Sequence, residues 1–397
     1  MHGMHMEKII DKFIILLILN YLVFCNICFA QLSPKPDKAF TVWIEKTMQQ
    51  YHVPAVSIAV VKHYHLEWSG GFSLANIAAQ QTVTPATLFQ AGSISKPVTA
   101  MAALKAVQDG ELSLDKNINQ YLTSWKIPEN QFTQSAAVTL RRLLDHSAGI
   151  TVHGFLGYAK GKKLPSLIDV LNGTPPANSS AVRVVATPGT QFSYSGGGYT
   201  VIQQALIDVY RQPFAQILSR LVLQPLEMTS STFQQPLPEQ LLARAAMPYM
   251  NDSKPVAGGP HTYVEKAAAG LWTTPADLAK FMISVQQSLI GDINKVLAAN
   301  VAKLMVTPAI NQNMGLGFEI SVNKYGKPAT NGAYFMHLGE NQGYRDVVLA
   351  SLHNGNGLII MSNMSEDNDL ILQQKIVENW SFIDAVIKRV ADSENWE

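Results

Sequence analysis

The sequence predicts an α+β protein in which one antiparallel β-sheet is flanked by helices from the two ends of the chain and interrupted by a large helical insertion. Two observations lead to this fold class. Runs rich in Val and Ile, typical of strands, lie near the start of the chain and again near its end, whereas helical patterns occupy the middle. The strands at each end also follow one another through short turns, which disfavours a doubly wound parallel sheet.

The first elements are a short helix at residues 40–51 and two apolar runs at residues 56–62 and 66–72. The polar residues between the two runs predict a turn, so the runs form a β-hairpin.

The middle of the chain changes to helical patterns. Residues 97–109 predict a helix that ends at Gly110, since glycine suits the position after a helix C-terminus. Further helices are predicted at residues 140–144, 166–171, 199–210, 214–223 and 275–286.

Strand patterns return at residues 334–338, 344–352 and 358–363. The Asn-Gly-Asn-Gly run at residues 354–357 predicts a hairpin turn between the last two of these strands. Residues 371–390 then predict a closing amphipathic helix.

The N-terminal segment indicates export. Lys8 and Lys12 precede a long apolar run that ends in Ala30, and both cysteines of the chain lie in this segment. This is typical of a secretory signal cut before Gln31, leaving a periplasmic or secreted protein with no stable membrane span. The alternative is an uncleaved membrane anchor, because the run is somewhat long for a signal core.

We therefore expect a signal peptide at residues 1–30 and a single domain at residues 36–397. In that domain, residues 36–90 and 305–397 would form the sheet part and residues 91–304 the helical part. Composition fits a globular protein, with 47% hydrophobic and 15% charged residues. A formal charge of +1 gives no reason to expect a nucleic-acid partner.

The first candidate motif is residues 91–97, Ala-Gly-Ser-Ile-Ser-Lys-Pro. Ser93 and Lys96 are three residues apart at the opening of a helix, so their side chains lie on one face. A lysine held neutral by burial can take the proton of a serine nucleophile. Alternatively, Ser93 only caps the helix and Lys96 is a solvated first-turn residue.

The second and third candidates are residues 190–199, Thr-Gln-Phe-Ser-Tyr-Ser-Gly-Gly-Gly-Tyr, and residues 335–344, Phe-Met-His-Leu-Gly-Glu-Asn-Gln-Gly-Tyr. Tyr194, on a turn before a helix, can relay protons beside a lysine, or else simply packs against that helix. His337 is predicted at the end of a strand, where Gly339 would let a substrate backbone approach closely. A lone histidine can equally be a hydrogen-bonded structural residue.

The three motifs together, in this order, resemble the serine β-lactamase and penicillin-binding protein superfamily. The likeness is greatest to the branch of class C β-lactamases, serine D-alanyl-D-alanine carboxypeptidases, D-aminopeptidases and related esterases. It covers nearly the whole chain after the signal. Its further matches are Val-Pro-Ala-Val-Ser-Ile-Ala-Val-Val at 53–61, Leu-Leu-Asp-His-Ser-Ala-Gly-Ile at 143–150, Pro-Leu-Glu-Met at 225–228, Ala-Gly-Leu-Trp-Thr-Thr-Pro at 269–275 and Gly-Leu-Gly-Phe at 315–318.

The resemblance implies the fold of β-lactamases and transpeptidases and a role for each matched residue. Ser93 would be the acylated nucleophile, and Lys96 and Tyr194 the proton-transfer pair. His337 would face the substrate, and the backbone N–H groups of Ser93 and Glu340 would form the oxyanion hole. The resemblance implies no metal and no cofactor.

Two departures from the family pattern stand out. Gly196 replaces the asparagine of many members, and His337 replaces the lysine of true β-lactamases. Since histidine has a pKa of about 6.5, the second departure predicts that the binding of anionic substrates weakens as the pH rises towards neutrality. The segment that contains His146 is common across the family, and we interpret this residue as structural.

The sequence thus favours an exported serine hydrolase acting through an acyl-enzyme on a peptide, amide or ester. A substrate derived from the cell wall is one candidate. The alternatives are a carboxylesterase or weak β-lactamase of the same fold, and a non-catalytic relative that binds cell-wall fragments. An α/β-hydrolase is excluded because no serine is flanked as Gly-x-Ser-x-Gly.

Overall fold

The computed structural model of the protein describes residues 36–292, 295–311, 313–366 and 380–397. The predicted signal at residues 1–30, and residues 371–379 of the predicted last helix, lie outside these ranges. Within the described ranges, no helix combines the length and the apolar character needed to cross a membrane.

The strands form one large sheet and two small pairs. They are β1 (Ala55–Lys62), β2 (His65–Asn76), β3 (Gln81–Thr82), β4 (Phe89–Gln90), β5 (Tyr249–Met250), β6 (Trp272–Thr273), β7 (Glu319–Val322), β8 (Tyr334–Asn341), β9 (Tyr344–Ser351), β10 (Gly357–Ser362) and β11 (Met364–Ser365). Among the described residues, the large sheet has seven strands in the order β3–β2–β1–β10–β9–β8–β7, with every pair antiparallel. In its centre, β1 from the start of the chain lies beside β10 from its end, with Val56 opposite Ser362.

The α-helices lie before, between and after these strands. They are α1 (Lys38–Gln50), α2 (Ser95–Gln108), α3 (Gln131–Ser135), α4 (Leu140–Leu144), α5 (Leu167–Asn172), α6 (Gly196–Tyr210), α7 (Phe214–Leu218), α8 (Glu239–Leu242), α9 (Lys266–Ala269), α10 (Pro275–Leu289), α11 (Ala299–Met305) and α12 (Ser381–Ser393). The predicted helix at 214–223 is split, because a π-helical turn, Ser219–Leu223, follows α7.

Each face of the sheet has its own apolar core. On one face, the terminal helices α1 and α12 bury Ile44 and Val386 against strand residues such as Ile58 and Ile360. The other face packs against the helical insertion, in which α2 and α10 are central. This arrangement confirms the predicted fold class, an antiparallel sheet flanked by terminal helices and interrupted by a large helical part.

Two element boundaries differ from the prediction in ways that affect the site. Helix α2 starts at Ser95 instead of residue 97, because it is buried on all sides and its first turn shows no amphipathic pattern. Helix α6 starts at Gly196 instead of residue 199, because the Ser195 hydroxyl accepts the backbone N–H of Gly198 and caps a glycine-rich first turn. Low helix propensity is overridden there by the cap.

Candidate active site

Ser93 lies in a one-turn 3₁₀ helix, Gly92–Ile94, between strand β4 and helix α2. The turn is fixed by Ser95, whose hydroxyl donates to the Gly92 carbonyl at 2.6 Å and accepts the Leu271 N–H at 3.0 Å. Gly92 has a φ of +48°, and a Cβ there would lie 2.5 Å from the Glu340 nitrogen. Only glycine fits this close approach, so Ser93 is held at a fixed distance from strand β8.

Lys96 is almost completely buried in the first turn of α2. Its Nζ donates to the Ser93 Oγ at 2.9 Å and to the Ala268 carbonyl at 3.0 Å. Burial lowers the pKa of Lys96 to about 7. A large fraction of the amine is therefore neutral near pH 7, which a general base requires. The alternative of a solvated first-turn lysine is wrong.

Tyr194 closes the other side of this pair. Its hydroxyl is hydrogen-bonded to the Ser93 side chain, and its ring lies 4.9 Å from the Lys96 Nζ. Burial raises the pKa of Tyr194 well above its usual value, so the hydroxyl stays protonated at neutral pH. The structure thus brings the three predicted catalytic residues, Ser93, Lys96 and Tyr194, into one cluster.

His146 positions the segment that carries Tyr194. The Ser193 N–H donates to the His146 carbonyl at 2.8 Å, and the Ser195 N–H donates to its Nδ1 at 3.1 Å. The imidazole also stacks on the Tyr194 ring, with centroids 4.3 Å apart. Burial lowers the pKa of His146 well below its usual value, so the ring is neutral and can accept this hydrogen bond. These contacts fit its interpretation as structural and give it a defined task.

The space beside Gly196 is occupied by the protein itself. A Cβ at this position would lie 3.0 Å from the Phe155 ring and 3.1 Å from the His153 carbonyl, which accepts the Gly196 N–H. His153 also stacks on Tyr194 at 4.8 Å. The Phe155 ring and the His153 carbonyl therefore occupy the space that the side chain of the usual asparagine would need. The sequence contained no signal for Phe155 or His153.

His337 lies in the interior of strand β8, because the strand runs to Asn341 and does not end at residue 338 as predicted. Its Nδ1 lies 2.6 Å from the Leu338 carbonyl, which assigns the ring proton to Nδ1. Burial and the nearby Lys96 lower the pKa of His337 to about 3. The prediction that this residue gains charge below pH 6.5 is therefore wrong, because the buried imidazole stays neutral.

Gly339 lies close to the turn that carries Ser93. A Cβ at Gly339 would lie 2.3 Å from the carbonyl oxygen of Ala91, the residue before this turn, so the glycine lets strand β8 approach it, and the predicted approach of a substrate stays a prediction. The residue is absent from the described lining of the cleft. Glu340 follows it, with its nitrogen beside Gly92 and its carboxylate 3.2 Å from Arg345.

Ser93, Lys96 and Tyr194 line a cleft of about 590 Å³. The lining consists of Ser93, Lys96, His153, Gly154, Phe155, Phe192, Tyr194, Ala268, Ala269, Asn311, Asn313, Met314, Glu319, His337, Leu338, Glu340, Asn341 and Trp380.

Sequence reasoning missed Glu319 and Asn341. The Asn341 amide donates to the Gln90 side chain at 2.8 Å and to the Ala269 carbonyl at 3.0 Å, which ties β8 to β4 and α9. Glu319 follows the matched segment at 315–318, so its position was the available signal. Burial raises the pKa of the Glu319 carboxyl.

No group of three or more His, Cys, Asp or Glu side chains in the described ranges is arranged to hold a metal ion. The groups that the cleft brings together are the Ser93 hydroxyl, the Lys96 amine and the Tyr194 hydroxyl, with backbone N–H groups close by.

Comparison of the sequence with known proteins identifies relatives of low identity. Protein flp of Staphylococcus aureus (strain MW2) is 26% identical over 318 residues, which cover 78% of this chain and 62% of that protein. A beta-lactamase of Pseudomonas fluorescens is 26% identical over 239 residues, covering 60% of this chain and 62% of the relative. The chain thus spans less than two thirds of the length of these relatives.

Two solved structures share the fold. The octameric penicillin-binding protein homologue from Pyrococcus abyssi has a TM-score of 0.66 at 24% identity, covering 83% of this chain and 74% of that one. The D-alanine carboxypeptidase AmpC from Burkholderia cenocepacia has a TM-score of 0.62 at 20% identity, covering 84% and 95%. The family model for beta-lactamases matches residues 40–374. With most of its length matched by that model, and with the fold of penicillin-binding proteins around a clustered serine, lysine and tyrosine, the chain belongs to the beta-lactamase family.

Proposed function

We propose that the protein is an exported serine hydrolase that forms an acyl-enzyme at Ser93 with a peptide, amide or ester substrate. The observation that carries this proposal is the 2.9 Å hydrogen bond between the Ser93 Oγ and the buried Lys96 Nζ. A lysine with a pKa of about 7, touching a serine at the floor of a cleft, is a base placed against its nucleophile.

In the proposed reaction, neutral Lys96 takes the proton of the Ser93 hydroxyl as Oγ attacks the substrate carbonyl. The N–H groups of Ser93 and Glu340 would stabilise the negative charge that develops on the carbonyl oxygen. Tyr194 would pass the proton to the leaving group, whose bond to the carbonyl carbon breaks. A water molecule would then attack the ester carbonyl and give a proton to the same pair. The pair would return this proton to the Ser93 Oγ as the bond between Oγ and the acyl carbon breaks and the acid leaves.

Two features bear on the choice among hydrolases. The cleft offers neutral His337 where true β-lactamases have a lysine, which favours a peptidase, amidase or esterase over a β-lactamase. The Phe155 ring occupies the space that an asparagine side chain would need at position 196. The presence of Gly196 is therefore no argument that the protein is a non-catalytic, cell-wall-binding relative. A substrate derived from the cell wall stays a proposal that rests on the family.

A fluorophosphonate probe tests the proposal directly. Wild-type protein should gain the mass of one phosphonyl group, located on the peptide that contains Ser93, whereas the Ser93→Ala variant should gain none. Folded wild-type protein that resists both this probe and a penicillin probe would contradict the proposal.

Export requires its own test. If the signal is cut before Gln31, N-terminal sequencing of the exported protein should begin with Gln-Leu-Ser. Finding the protein in membranes with residues 1–30 still attached would support the anchored alternative.

A further inference from the structure

The cleft contains a carboxyl group that the proposed reaction does not use. Glu319 lines the cleft, and no hydrogen bond or ion pair reaches its carboxyl from the described residues. It is close enough to Tyr194 for its negative charge to raise the pKa of the tyrosine hydroxyl. The carboxyl thus lines the same cleft as the reacting groups, and no described residue uses its hydrogen-bonding capacity.

Glu319 is held on a rigid base. It opens strand β7 opposite Met336, the residue before His337. The turn before it packs backbone against helices: a Cβ at Gly315 would lie 2.2 Å from the Met305 carbonyl, and one at Gly317 would lie 2.7 Å from the Ala100 Cβ. Because α2 also carries Lys96, the carboxyl and the base have a fixed separation.

The other charged groups of the described lining are already engaged. Lys96 donates to Ser93 and to a backbone carbonyl, and Glu340 lies 3.2 Å from Arg345. His337 is neutral. Lys96 is also the only lysine, and there is no arginine, among the described lining residues. A substrate carboxylate that enters this cleft would therefore lie in the same space as the Glu319 carboxyl, and no cation of the described lining is available to pair with that carboxylate.

A cationic group would meet favourable surroundings. Phe155 and Phe192 contribute aromatic rings to the lining, and the faces of such rings attract ammonium groups. A carboxylate that accepts hydrogen bonds from an ammonium group forms a stronger contact than a neutral pair does. Glu319 and these rings together are complementary to positive charge.

We propose that the cleft selects substrates that carry an ammonium group and that Glu319 binds this group. The inference rests on the proposed hydrolase function and names its substrate class. Glu319 is a specificity-determining residue in this scheme and takes no part in the proton transfers at Ser93.

The test uses 4-nitroanilides and 4-nitrophenyl esters whose acyl chains are equal in length and end in an ammonium, an acetamido or a carboxylate group. A second series carries the same groups on the leaving-group side. For wild type, kcat/KM should be highest for the ammonium member of at least one series and lowest for its carboxylate member. Glu319→Gln should lower kcat/KM for the ammonium substrate about ten-fold or more and change that for the acetamido substrate less than about two-fold.

Glu239→Gln, on the exposed helix α8, is the matched control and should change neither value. The ammonium preference should also grow as the pH rises and Glu319 ionises, while the acetamido substrate shows no such growth relative to its own profile. This pH dependence should disappear in Glu319→Gln, which a merely structural role of the residue would not produce.

Two failures are distinguishable. If Ser93 is labelled by the fluorophosphonate probe but Glu319→Gln leaves the ratio of ammonium to acetamido hydrolysis unchanged, the inference is overturned and the hydrolase proposal stands. If Ser93 is not labelled at all, both are overturned.

Discussion

The cleft has two walls of different character. The helical wall carries Ser93, Lys96 and Tyr194, joined by hydrogen bonds to Ser93 and backed by His146. The sheet wall carries Glu319 and His337 on strands β7 and β8. The helical wall matches the family pattern at its serine, lysine and tyrosine, whereas the sheet wall replaces a lysine by a neutral histidine.

This contrast separates two requirements of a hydrolase. Bond breaking needs a nucleophile and a base at hydrogen-bonding distance, which leaves little freedom on the helical wall. Substrate choice depends on the charge and shape that the remaining walls present, and these can change without moving the nucleophile. The predictions below test whether the walls are independent in this sense.

The largest effect is expected on the helical wall. Ser93→Ala should lower kcat at least about a thousand-fold, because it removes the atom that forms the acyl-enzyme. Its free energy of unfolding should change by no more than about 1 kcal/mol, the usual scale of one hydrogen bond. Steady-state kinetics and urea unfolding of the same preparation check both points. Retention of near-full activity on every substrate would show that Ser93 is not the nucleophile.

Lys96→Ala and Tyr194→Phe should each slow acylation about a hundred-fold or more. The loss of acylation rate in the double variant should be much smaller than the product of the two single losses. The effects of residues that act as one proton-transfer unit do not multiply. Pre-steady-state acylation rates measure this coupling. Multiplicative losses would mean that the two side chains act independently.

For an uncharged substrate, the pH dependence of kcat/KM should come from the helical wall alone. Because Lys96 must be neutral to act as the base, kcat/KM for an uncharged substrate should rise through a pKa of about 7 and level off above it. His337, with its pKa lowered to about 3, should add no ionisation between pH 5 and 8. His337→Gln should therefore preserve the position of the rise. A shift of the midpoint by a full pH unit in this variant would show that His337 does titrate there.

The smallest expected effect concerns the boundary between the walls. Gly196→Asn should restore the family residue but lower the free energy of unfolding by about 1–3 kcal/mol, because its side chain meets Phe155 and the His153 carbonyl. Adding Phe155→Ala should recover part of this loss by opening the space. Chemical denaturation of the single and double variants checks the order. A Gly196→Asn protein as stable as wild type would show that the loop moves aside without cost.

The sequence predicted the helical wall better than the sheet wall. Ser93, Lys96 and Tyr194 lie in motifs with fixed spacing, and their local patterns were enough to bring them to one site. The protonation of His337 and the packing around Gly196 depend on residues distant in the chain. Burial and the nearby Lys96 set the protonation of His337, and the ring of Phe155 sets the packing at Gly196. Neither contact can be predicted from the spacing of residues within one motif.

The fold shows the same division. Apolar runs and turn residues predicted that β1 and β2 form a hairpin and that the sheet is antiparallel. Both predictions are confirmed. The starts of α2 and α6 were missed because burial on all sides and a serine cap decided them. Glu319 and Asn341 became recognisable only once the strands placed them in the lining of the cleft.

The contact between Gly339 and the Ala91 carbonyl limits how the cleft of this protein can change in evolution. Two segments of the backbone approach each other closely there, at Gly339 beside the Ala91 carbonyl and at Gly92 beside the Glu340 nitrogen. Neither glycine position therefore has room for a side chain, and neither segment has room for an inserted residue. New specificities can therefore arise by exchanging side chains on the strands or by remodelling loops such as the one with Phe155, but not by shifting the strand itself. A library for altered substrate range should leave these two glycines fixed and vary Glu319 and His337 around them.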